Sequence, residues 1–389
     1  MNIAIVVVTY NRVDSLSRLM DSLERASYGN DRIPLIISVD KSNTNVVEDF
    51  ADNYVWPYGD KIVQKHVANL GLKAHMLSLG KWFNKYDALI VLEDDLIVSD
   101  SFYFYAKSTV RKYYANPDVA GISLYGFSVN YQTGKPFQPY KSEHDVYFMN
   151  CAMSWGQIWM RDSWMNFHRW YNDNMEFSNS DSLPDCLNRW GHKSWLKYHT
   201  RYCIEENKYF VFPYTSLSTN CSEAGEHNNG IPSTVYQVQL QAGLKTDYAL
   251  PDFGEPAVYY DGFFENKNLY DVLGYCEGDL CLDLNGEHKD RTNKRYWLTT
   301  AGQNFKVIKS YNLNYRPIEA NIYLDNVGSQ IFLYDTSQYV RNETPSERNV
   351  MMYQYYLDNI LSFIKMYGAR NLIKDIIYFV KNKLLKSKI

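Results

Sequence analysis

The sequence predicts an α/β fold in which a mostly parallel sheet is flanked by helices on both faces. The main observation is a series of apolar, β-branched runs that end in polar residues, at positions 3–8, 34–39, 62–67 and 88–92. Uninterrupted runs of this kind are typical of strands buried on both faces, as in parallel sheets. Helical patterns separate the runs, as in Leu16, Leu19, Met20 and Leu23. This alternation predicts repeated strand–helix units.

The later elements are predicted from turn signals and periodicity. Helices are expected at 73–83 and 101–114, a strand at 119–124, an exposed hairpin-like segment at 130–141 and a short helix within 152–164. Residues 256–340 indicate turns and short strands, and 351–388 indicate two helices divided near Gly368. Because 389 residues exceed one ordinary core, we expect four segments, at 1–125, 126–255, 256–348 and 349–389.

Composition narrows the class of protein. The net charge of −4 argues against nucleic acid as a bulk electrostatic partner. Six cysteines form no CxxC pair, so no zinc site is predicted and reduced thiols are expected. No charged leader precedes the first apolar run, and no run reaches the ~18 apolar residues of a membrane span. We therefore expect a cytoplasmic protein.

The run at 88–92 leads into three consecutive acids, Glu93, Asp94 and Asp95. Adjacent carboxylates repel one another, and their desolvation is costly unless a cation or hydrogen-bond donors compensate. A hard divalent cation such as Mg²⁺ or Mn²⁺ is the simplest compensation. The alternative is an acidic turn that caps the next helix.

Two other polar turns are expected beside these acids. Thr9 and Arg12 follow the first strand, and Asp40 follows the second. Since open α/β sheets bind ligands at the carboxyl ends of their strands, these residues and the three acids are expected at one ligand-binding edge. The alternative role for Arg12 is an ordinary loop cation that is exposed to solvent.

Four segments resemble GT-A glycosyltransferases that use nucleotide sugars. They are TYNR at 9–12, SVDKS at 38–42, NLGLKAHMLSLGKWF at 69–83 and LEDDLIVSDSFYFY at 92–105. Residues 70–126 more closely resemble the N-acetylglucosaminyltransferase I group, and bacterial polysaccharide glycosyltransferases are similar. The resemblance spans about residues 3–229 and implies a GT-A fold, with the nucleotide sugar in 1–125 and the acceptor in 126–255. The chain departs from the Golgi members in having no amino-terminal anchor or stem, and it has additional carboxyl-terminal sequence.

The resemblance implies roles for individual residues on the donor side. Asp95 falls on the family's direct metal ligand, and Glu93 and Asp94 would hold the ribose side and the waters of the metal. The remaining nucleotide-sugar contacts would be Thr9, Arg12, Asp40 and His75. Of these, Asp40 falls on the family's uracil-contacting acid.

On the acceptor side, the resemblance places the general base on Asp185 in LPDCLNRW. Asp185 follows a proline, so a helix start is the alternative, and Asp181 and Glu223 are rival bases. His227 in STNCSEAGEHN would lie near the pyrophosphate and the metal. Trp155, Trp159 and Trp164 are expected in the core, where one of them could still stack on a sugar.

A metal ligand and a separate base, here Asp95 and Asp185, are the minimum set of residues for sugar transfer. Departure of a nucleoside diphosphate is helped by a cation, and attack by an acceptor hydroxyl needs a separate base. We therefore predict an inverting glycosyltransferase that uses Mn²⁺ or Mg²⁺, favours a UDP-sugar and modifies a glycan or lipid-linked acceptor in surface polysaccharide synthesis. The alternatives are a non-catalytic binding protein and a sugar nucleotidyltransferase. A nucleotidyltransferase is expected to have a glycine-rich, basic phosphate-binding loop after the first strand. TYNR contains neither glycine nor lysine.

The carboxyl-terminal segment has its own pattern. Apolar residues recur at spacings of three and four, and Lys374, Lys381, Lys383, Lys386 and Lys388 crowd the end. This pattern is typical of a helix that lies at a membrane surface, here the inner face. The alternative is a helix that packs on the protein itself or on a second subunit.

Overall fold

The computed structural model describes residues 1–221, 234–288, 294–341 and 358–386. The chain divides into two compact units. The first contains residues 1 to 274 and a short piece that includes Glu287. The second contains Tyr275–Gly286 and the described residues from Lys294 onward.

The strands are numbered in chain order. They are β1 Ile3–Thr9, β2 Leu35–Val39, β3 Lys61–Lys65, β4 Ala88–Glu93, β5 Leu96–Val98, β6 Val119–Ser123, β7 Val129–Asn130, β8 Lys135–Pro136, β9 Val146–Met149, β10 Gln157–Met160, β11 Tyr209–Pro213, β12 Ser218–Asn220, β13 Tyr259–Tyr260, β14 Leu280–Asp283, β15 Tyr296–Thr299, β16 Phe305–Tyr311 and β17 Ile331–Tyr339.

The described helices are numbered in the same way. They are α1 Val13–Arg25, α2 Val46–Asn53, α3 Gly71–Ser78, a 3-10 helix Leu79–Asn84, α4 Phe102–Tyr113, α5 Arg161–Asp173, α6 Asp185–Arg189, α7 Leu196–Glu205, α8 Leu269–Leu273, α9 Ala320–Tyr323, α10 Asp358–Tyr367 and α11 Ala369–Lys386.

The first unit is built on a nine-stranded sheet in the order β13-β9-β11-β6-β10-β4-β1-β2-β3. Strands β4, β1, β2 and β3 are mutually parallel, and β11 is parallel to β6. Strands β9 and β10 run antiparallel to their neighbours, except that β13 pairs with β9 in parallel. The prediction of an α/β fold with a mostly parallel sheet is therefore confirmed.

Side chains of the central strands alternate between two cores. Ile5 and Val7 of β1 face a core formed with α1, α2 and α4. Ala4 and Val6 face a second core formed with α3, the 3-10 helix, α5 and α7. Because neighbouring strand residues point to opposite faces, the continuous apolar run of β1 serves both cores.

The segment 152–164 differs from the prediction of a short helix. Gln157–Met160 form β10, and the helix begins only at Arg161. All four strand residues are buried, because β10 is inserted between β4 and β6. Antiparallel pairing with strands far away in sequence decides this segment, and such pairing leaves no local periodicity to detect.

The stretch that contains the three acids does not continue as a single strand. β4 ends at Glu93, and Asp94 and Asp95 form a turn. β5 then leaves the large sheet and pairs antiparallel with β12, with Leu96 opposite Asn220. The turn is therefore held between a parallel sheet on one side and a two-stranded ribbon on the other.

The second unit contains more regular structure than the turns and short strands expected from its sequence. Strands β14, β15, β17 and β16 form a four-stranded sheet in that order. The two predicted tail helices are present as α10 and α11, separated by Gly368 at a φ of 87°. A positive φ is readily adopted by glycine, which explains the break at this position.

Among the described helices, none combines the length and the hydropathy needed to cross a bilayer.

The central sheet allows a direct test of its packing. Gly121 of β6 pairs with Phe210 of β11, and a Cβ added at Gly121 would lie 2.5 Å from Cζ of that ring. Since both residues are buried, we expect Gly121→Ala to lower the free energy of unfolding by about 1–3 kcal/mol, as overpacking does. Chemical denaturation measures the difference.

Gly191→Ala is the control, because an added Cβ there meets nothing within 4 Å. Equal free energies of unfolding for the two variants would contradict this account of β6 and β11.

Candidate active site

The predicted polar residues meet at one edge of the large sheet. β1 lies between β4 and β2, and all three strands run parallel. Their carboxyl ends therefore bring together Thr9, Asp40 and Glu93, followed by the turn at Asp94 and Asp95. Such an edge is where open α/β sheets bind ligands.

The Arg12 guanidinium joins the two aspartates of the turn. It forms an ion pair with Asp94 Oδ1 and donates hydrogen bonds of 3.2 Å from Nη1 and Nη2 to Asp95 Oδ2. Thr9 Oγ1 donates a 2.8 Å hydrogen bond to the second oxygen of Asp94. Arg12 is thus an organised part of the edge, in contrast to the alternative of a solvated loop cation.

The two aspartates differ in their access to solvent. The Asp94 side chain is 4% exposed, whereas that of Asp95 is 29% exposed. Asp94 is also bound by both Thr9 and Arg12, so it acts as an anchor for the turn. Asp95 presents the more accessible carboxylate to anything that binds at this edge.

The three acids carry more negative charge than Arg12 can balance. Burial, followed by repulsion from Asp95 and Asp94, raises the pKa of Glu93 to about 8. Burial raises the pKa of Asp94 to about 6, although Arg12 opposes the shift. The edge therefore favours the uptake of positive charge, as a proton or as a bound cation.

The described side chains at this edge do not by themselves form a complete metal cage. Within the described residues, no group of three His, Cys, Asp or Glu side chains is arranged to hold a metal ion. Mg²⁺ is commonly bound by one or two carboxylates, with water and substrate phosphate as its other ligands. The accessible Asp95 and the excess negative charge fit a cation of this kind, so Asp95 would hold it.

Asp40 fixes the start of α3. Its carboxylate is 3% exposed and accepts backbone N–H bonds from Lys41, Leu70 and Gly71 at 2.9, 2.9 and 3.0 Å. An ionised carboxylate has about four lone-pair sites, so these bonds use most of its capacity. The role of Asp40 as a nucleotide contact stays a prediction, but its structural role in capping α3 is clear from these bonds.

His75 lies beneath the edge. It is 2% exposed, and its Nε2 is 2.7 Å from Ser38 Oγ. The ring of His66 packs edge-on against it, with centroids 4.8 Å apart. Burial, with the charge of His66 as a smaller cause, lowers the pKa of His75 to about 4. A contact between His75 and a nucleotide stays a prediction, and in the structure the ring is buried against Ser38 and His66.

Asp185 is the first residue of α6. The helix is anchored by Cys186 and Leu187, which pack in a small buried cluster with Leu183. A cavity of about 430 Å³ lies beside it. The cavity is lined by Asn179, Ser180, Asp181, Asp185, Asn188 and Arg189. Asp185 and its rival Asp181 therefore share one cavity. Asp185 also begins a helix, which is the alternative role that its sequence context suggested.

Lys73 connects the carboxyl edge of the sheet to His192 and Tyr198, a contact that the sequence did not suggest. It lies in the first turn of α3, which Asp40 caps. Its Nζ is 4.1 Å from the ring centroid of Tyr198 and donates a 3.4 Å hydrogen bond to the carbonyl of His192. One helix thus contacts both halves of the predicted site.

Another residue of the predicted acceptor half contacts the segment that follows α6. Lys197 of α7 is 4% exposed and donates a 2.7 Å hydrogen bond to the carbonyl of Trp190, directly after α6. Its Nζ also lies 3.5 Å from the ring centroid of Phe177. The sequence spacing of Lys197, Trp190 and Phe177 does not predict these contacts, because contacts between a cation and a carbonyl depend on the tertiary fold.

Two predicted residues lie outside the described part of the chain. They are His227 and the rival base Glu223, both within 222–233. The residue that precedes this segment is placed, since the Cys221 amide donates a 2.8 Å hydrogen bond to the carbonyl of Asp95. The residues after it return to the same ribbon, where the Val238 amide donates to Thr219 Oγ1 at 3.0 Å.

The three tryptophans are not equivalent. Trp159 and Trp164 are buried and stacked, with ring centroids 4.1 Å apart, so they belong to the core as expected. Trp155 is half-buried and packs against Tyr125 and Tyr236. Trp155 precedes β10 near the carboxyl end of β4, and a sugar contact by one of the three tryptophans stays a prediction.

Comparison with known proteins gives structural likeness only. No family model and no curated protein matches the chain. Residues 1–349 of S. aureus TarS share 14% identity at a TM-score of 0.38, over 57% of this chain and 61% of that one. The mannosyltransferase PcManGT from Pyrobaculum calidifontis, solved with GDP-Man and Mn²⁺, shares 11% identity at 0.35, over 55% and 57%. GalNAc-T7, solved with UDP, GalNAc and Mn²⁺, shares 16% at 0.39, over 55% and 42%. The chain thus spans about three-fifths or less of each of these.

The buried histidine predicts a dependence of stability on pH. Because the pKa of His75 falls from an ordinary value of 6.5 to about 4, the unfolded chain takes up the proton first as the pH drops. The stabilisation by neutral His75 is complete above pH 6.5 and declines toward pH 4. We expect His75→Gln to reduce the loss of unfolding free energy between about pH 7 and about pH 5 by about 2 kcal/mol.

Urea denaturation at the two pH values measures this difference, with His168→Gln on the surface of α5 as the control. The same pH dependence in His75→Gln and in the parent chain would contradict the neutral, buried state of His75.

Proposed function

We propose that the chain is a glycosyltransferase that moves a sugar from a nucleotide-sugar donor, with a UDP-sugar favoured, to a hydroxyl group of a glycan or lipid-linked acceptor. The observation that carries the proposal is the accessible carboxylate of Asp95, placed at the carboxyl edge of β4 beside two further acids and a single arginine. This edge is suited to a cation and a diphosphate, and a second acid-lined cavity lies in the other half of the chain.

Asp95 would hold Mn²⁺ or Mg²⁺ together with the donor phosphates. The bound cation supplies positive charge that stabilises the departing nucleoside diphosphate. Arg12 keeps Asp94 and Asp95 in a fixed arrangement, and Thr9 holds the buried second oxygen of Asp94. The protein's own contribution on this side is therefore a preorganised turn that does not have to form when the donor binds.

The acceptor side would supply the base. An oxygen of the acceptor attacks the anomeric carbon, the bond from that carbon to the diphosphate oxygen breaks, and the acceptor proton passes to the Asp185 carboxylate. A single displacement of this kind inverts the configuration at the anomeric carbon. Lys73 and Lys197 support the base by holding the carbonyls of His192 and Trp190 close to α6.

The first test removes the accessible carboxylate. We expect Asp95→Asn to lower turnover by about 10²- to 10³-fold, the range for losing one group that stabilises transition-state charge. Nucleotide affinity should also lose its dependence on Mn²⁺, because the protein ligand to the ion is gone. Calorimetric titration with UDP, carried out once in the presence of Mn²⁺ and once in the presence of EDTA, measures this dependence of nucleotide affinity independently of activity.

Asp100→Asn is the control, an exposed acid five positions further along the chain. Donor hydrolysis should be screened with UDP-, GDP- and dTDP-sugars. Unchanged turnover in Asp95→Asn would refute the proposed metal site. Release of pyrophosphate from a nucleoside triphosphate and a sugar phosphate would instead indicate a nucleotidyltransferase.

The second test concerns the base. We expect Asp185→Asn to lower turnover by about 10²- to 10⁴-fold, as is typical when a general base is lost. Donor affinity should be retained, because the proposed nucleotide contacts follow β1, β2 and β4 whereas Asp185 lies on α6. Steady-state kinetics and donor titration separate the two effects, and NMR of the product should show an inverted anomer.

Asp181→Asn is the matched control, since Asp181 lines the same cavity. A larger loss in Asp181→Asn than in Asp185→Asn would transfer the role to Asp181. Equal losses of donor affinity and turnover in Asp185→Asn would show a structural role, and a retained anomer would exclude the single displacement.

A further inference from the structure

The helices α10 and α11 present apolar side chains to solvent. In α11, Ile373, Ile376 and Ile377 are 57%, 53% and 49% exposed. In α10, Ile360 and Leu361 are 49% and 56% exposed. Clusters of exposed apolar residues are uncommon on soluble monomers, and larger ones mark interaction surfaces. We call these five residues the tail surface.

On α11 the residues of the tail surface share one face. At 100° per residue, Ile373, Ile376 and Ile377 fall within an arc of about 100° on α11. Arg370 and Lys374, both exposed, lie at one margin of this arc. Basic side chains at the margin of an apolar face are suited to an interface, where the stem stays in the apolar layer and the charge reaches water.

Charge is divided unevenly along the chain. Residues 358–389 contain seven Lys or Arg and two Asp, a net charge of +5, whereas the whole chain carries −4. The other residues therefore carry −9. A basic segment on an acidic protein favours a negatively charged partner. The same charges would repel between the tails of two copies, which disfavours a tail-to-tail dimer.

We propose that α10 and α11 form an interfacial anchor that binds a bilayer surface containing anionic lipids. The tail surface would enter the boundary between headgroups and acyl chains, and the basic residues would contact the headgroups. An amphipathic helix with basic residues beside its apolar face would lie along the bilayer surface. This inference is independent of the proposed sugar transfer, because it rests on residues of the second unit alone.

Vesicle flotation of the full chain tests the proposal. We expect binding to vesicles of phosphatidylcholine with phosphatidylglycerol, no binding to phosphatidylcholine alone, and release at high salt. Ile376→Glu combined with Ile377→Glu should abolish binding. Val55→Glu combined with Val272→Glu is the matched control, since it makes the same chemical change at exposed apolar residues outside the tail and should leave binding intact.

A second variant tests the charge without altering the apolar face. Arg370→Gln combined with Lys374→Gln should weaken binding to the anionic vesicles by about 30-fold at low ionic strength, from about 1 kcal/mol for each charge. Circular dichroism melts of every variant establish that it is folded.

Several outcomes would overturn the proposal. Equal binding to neutral and anionic vesicles would exclude anionic lipid as the partner. Absence of vesicle binding, with a dimer that dissociates in the Ile376→Glu, Ile377→Glu variant, would assign the tail surface to a second copy. Absence of vesicle binding, with unfolding on truncation after Arg341, would assign it to packing within the chain.

Discussion

Three consecutive carboxylates share one guanidinium at the carboxyl edge of the sheet, and this imbalance of charge is the constraint on which the site depends. Arg12 reaches both Asp94 and Asp95, while Glu93 is left with a raised pKa by burial and by its two neighbours. Such an arrangement is stable only if the surrounding structure holds the acids in place. It also makes the edge receptive to a cation, which is the chemical basis of the proposed activity.

The sheet supplies the required rigidity through its register. Val8 of β1 lies opposite Glu93 of β4, and the next residue of β1, Thr9, reaches the buried oxygen of Asp94. A shift of one residue between these strands would reverse every side chain with respect to the two cores. The apolar residues of β1 and β4 therefore fix the position of the acids, although they take no part in the chemistry.

The sequence was sufficient for features that are local. The apolar runs of β1, β2 and β4 identified the parallel strands, and strand polarity alone placed Arg12, Asp40 and the three acids at one edge. Pairing between distant segments could not be predicted, as in β10 or in the ribbon of β5 and β12, because it depends on which strands become neighbours. The contacts of Asp40 with α3 and of Lys73 with His192 were missed for the same reason.

Helix α3 touches both halves of the proposed site, since Asp40 holds its first amides and Lys73 reaches from its first turn to Tyr198 and the segment before α7. Two ligands that each favour one placement of the same helix are thermodynamically coupled. For the proposed donor and acceptor, reciprocity would then require each to change the affinity for the other by the same factor. Synergy in binding between the two proposed ligands would thus be a property of a single short helix.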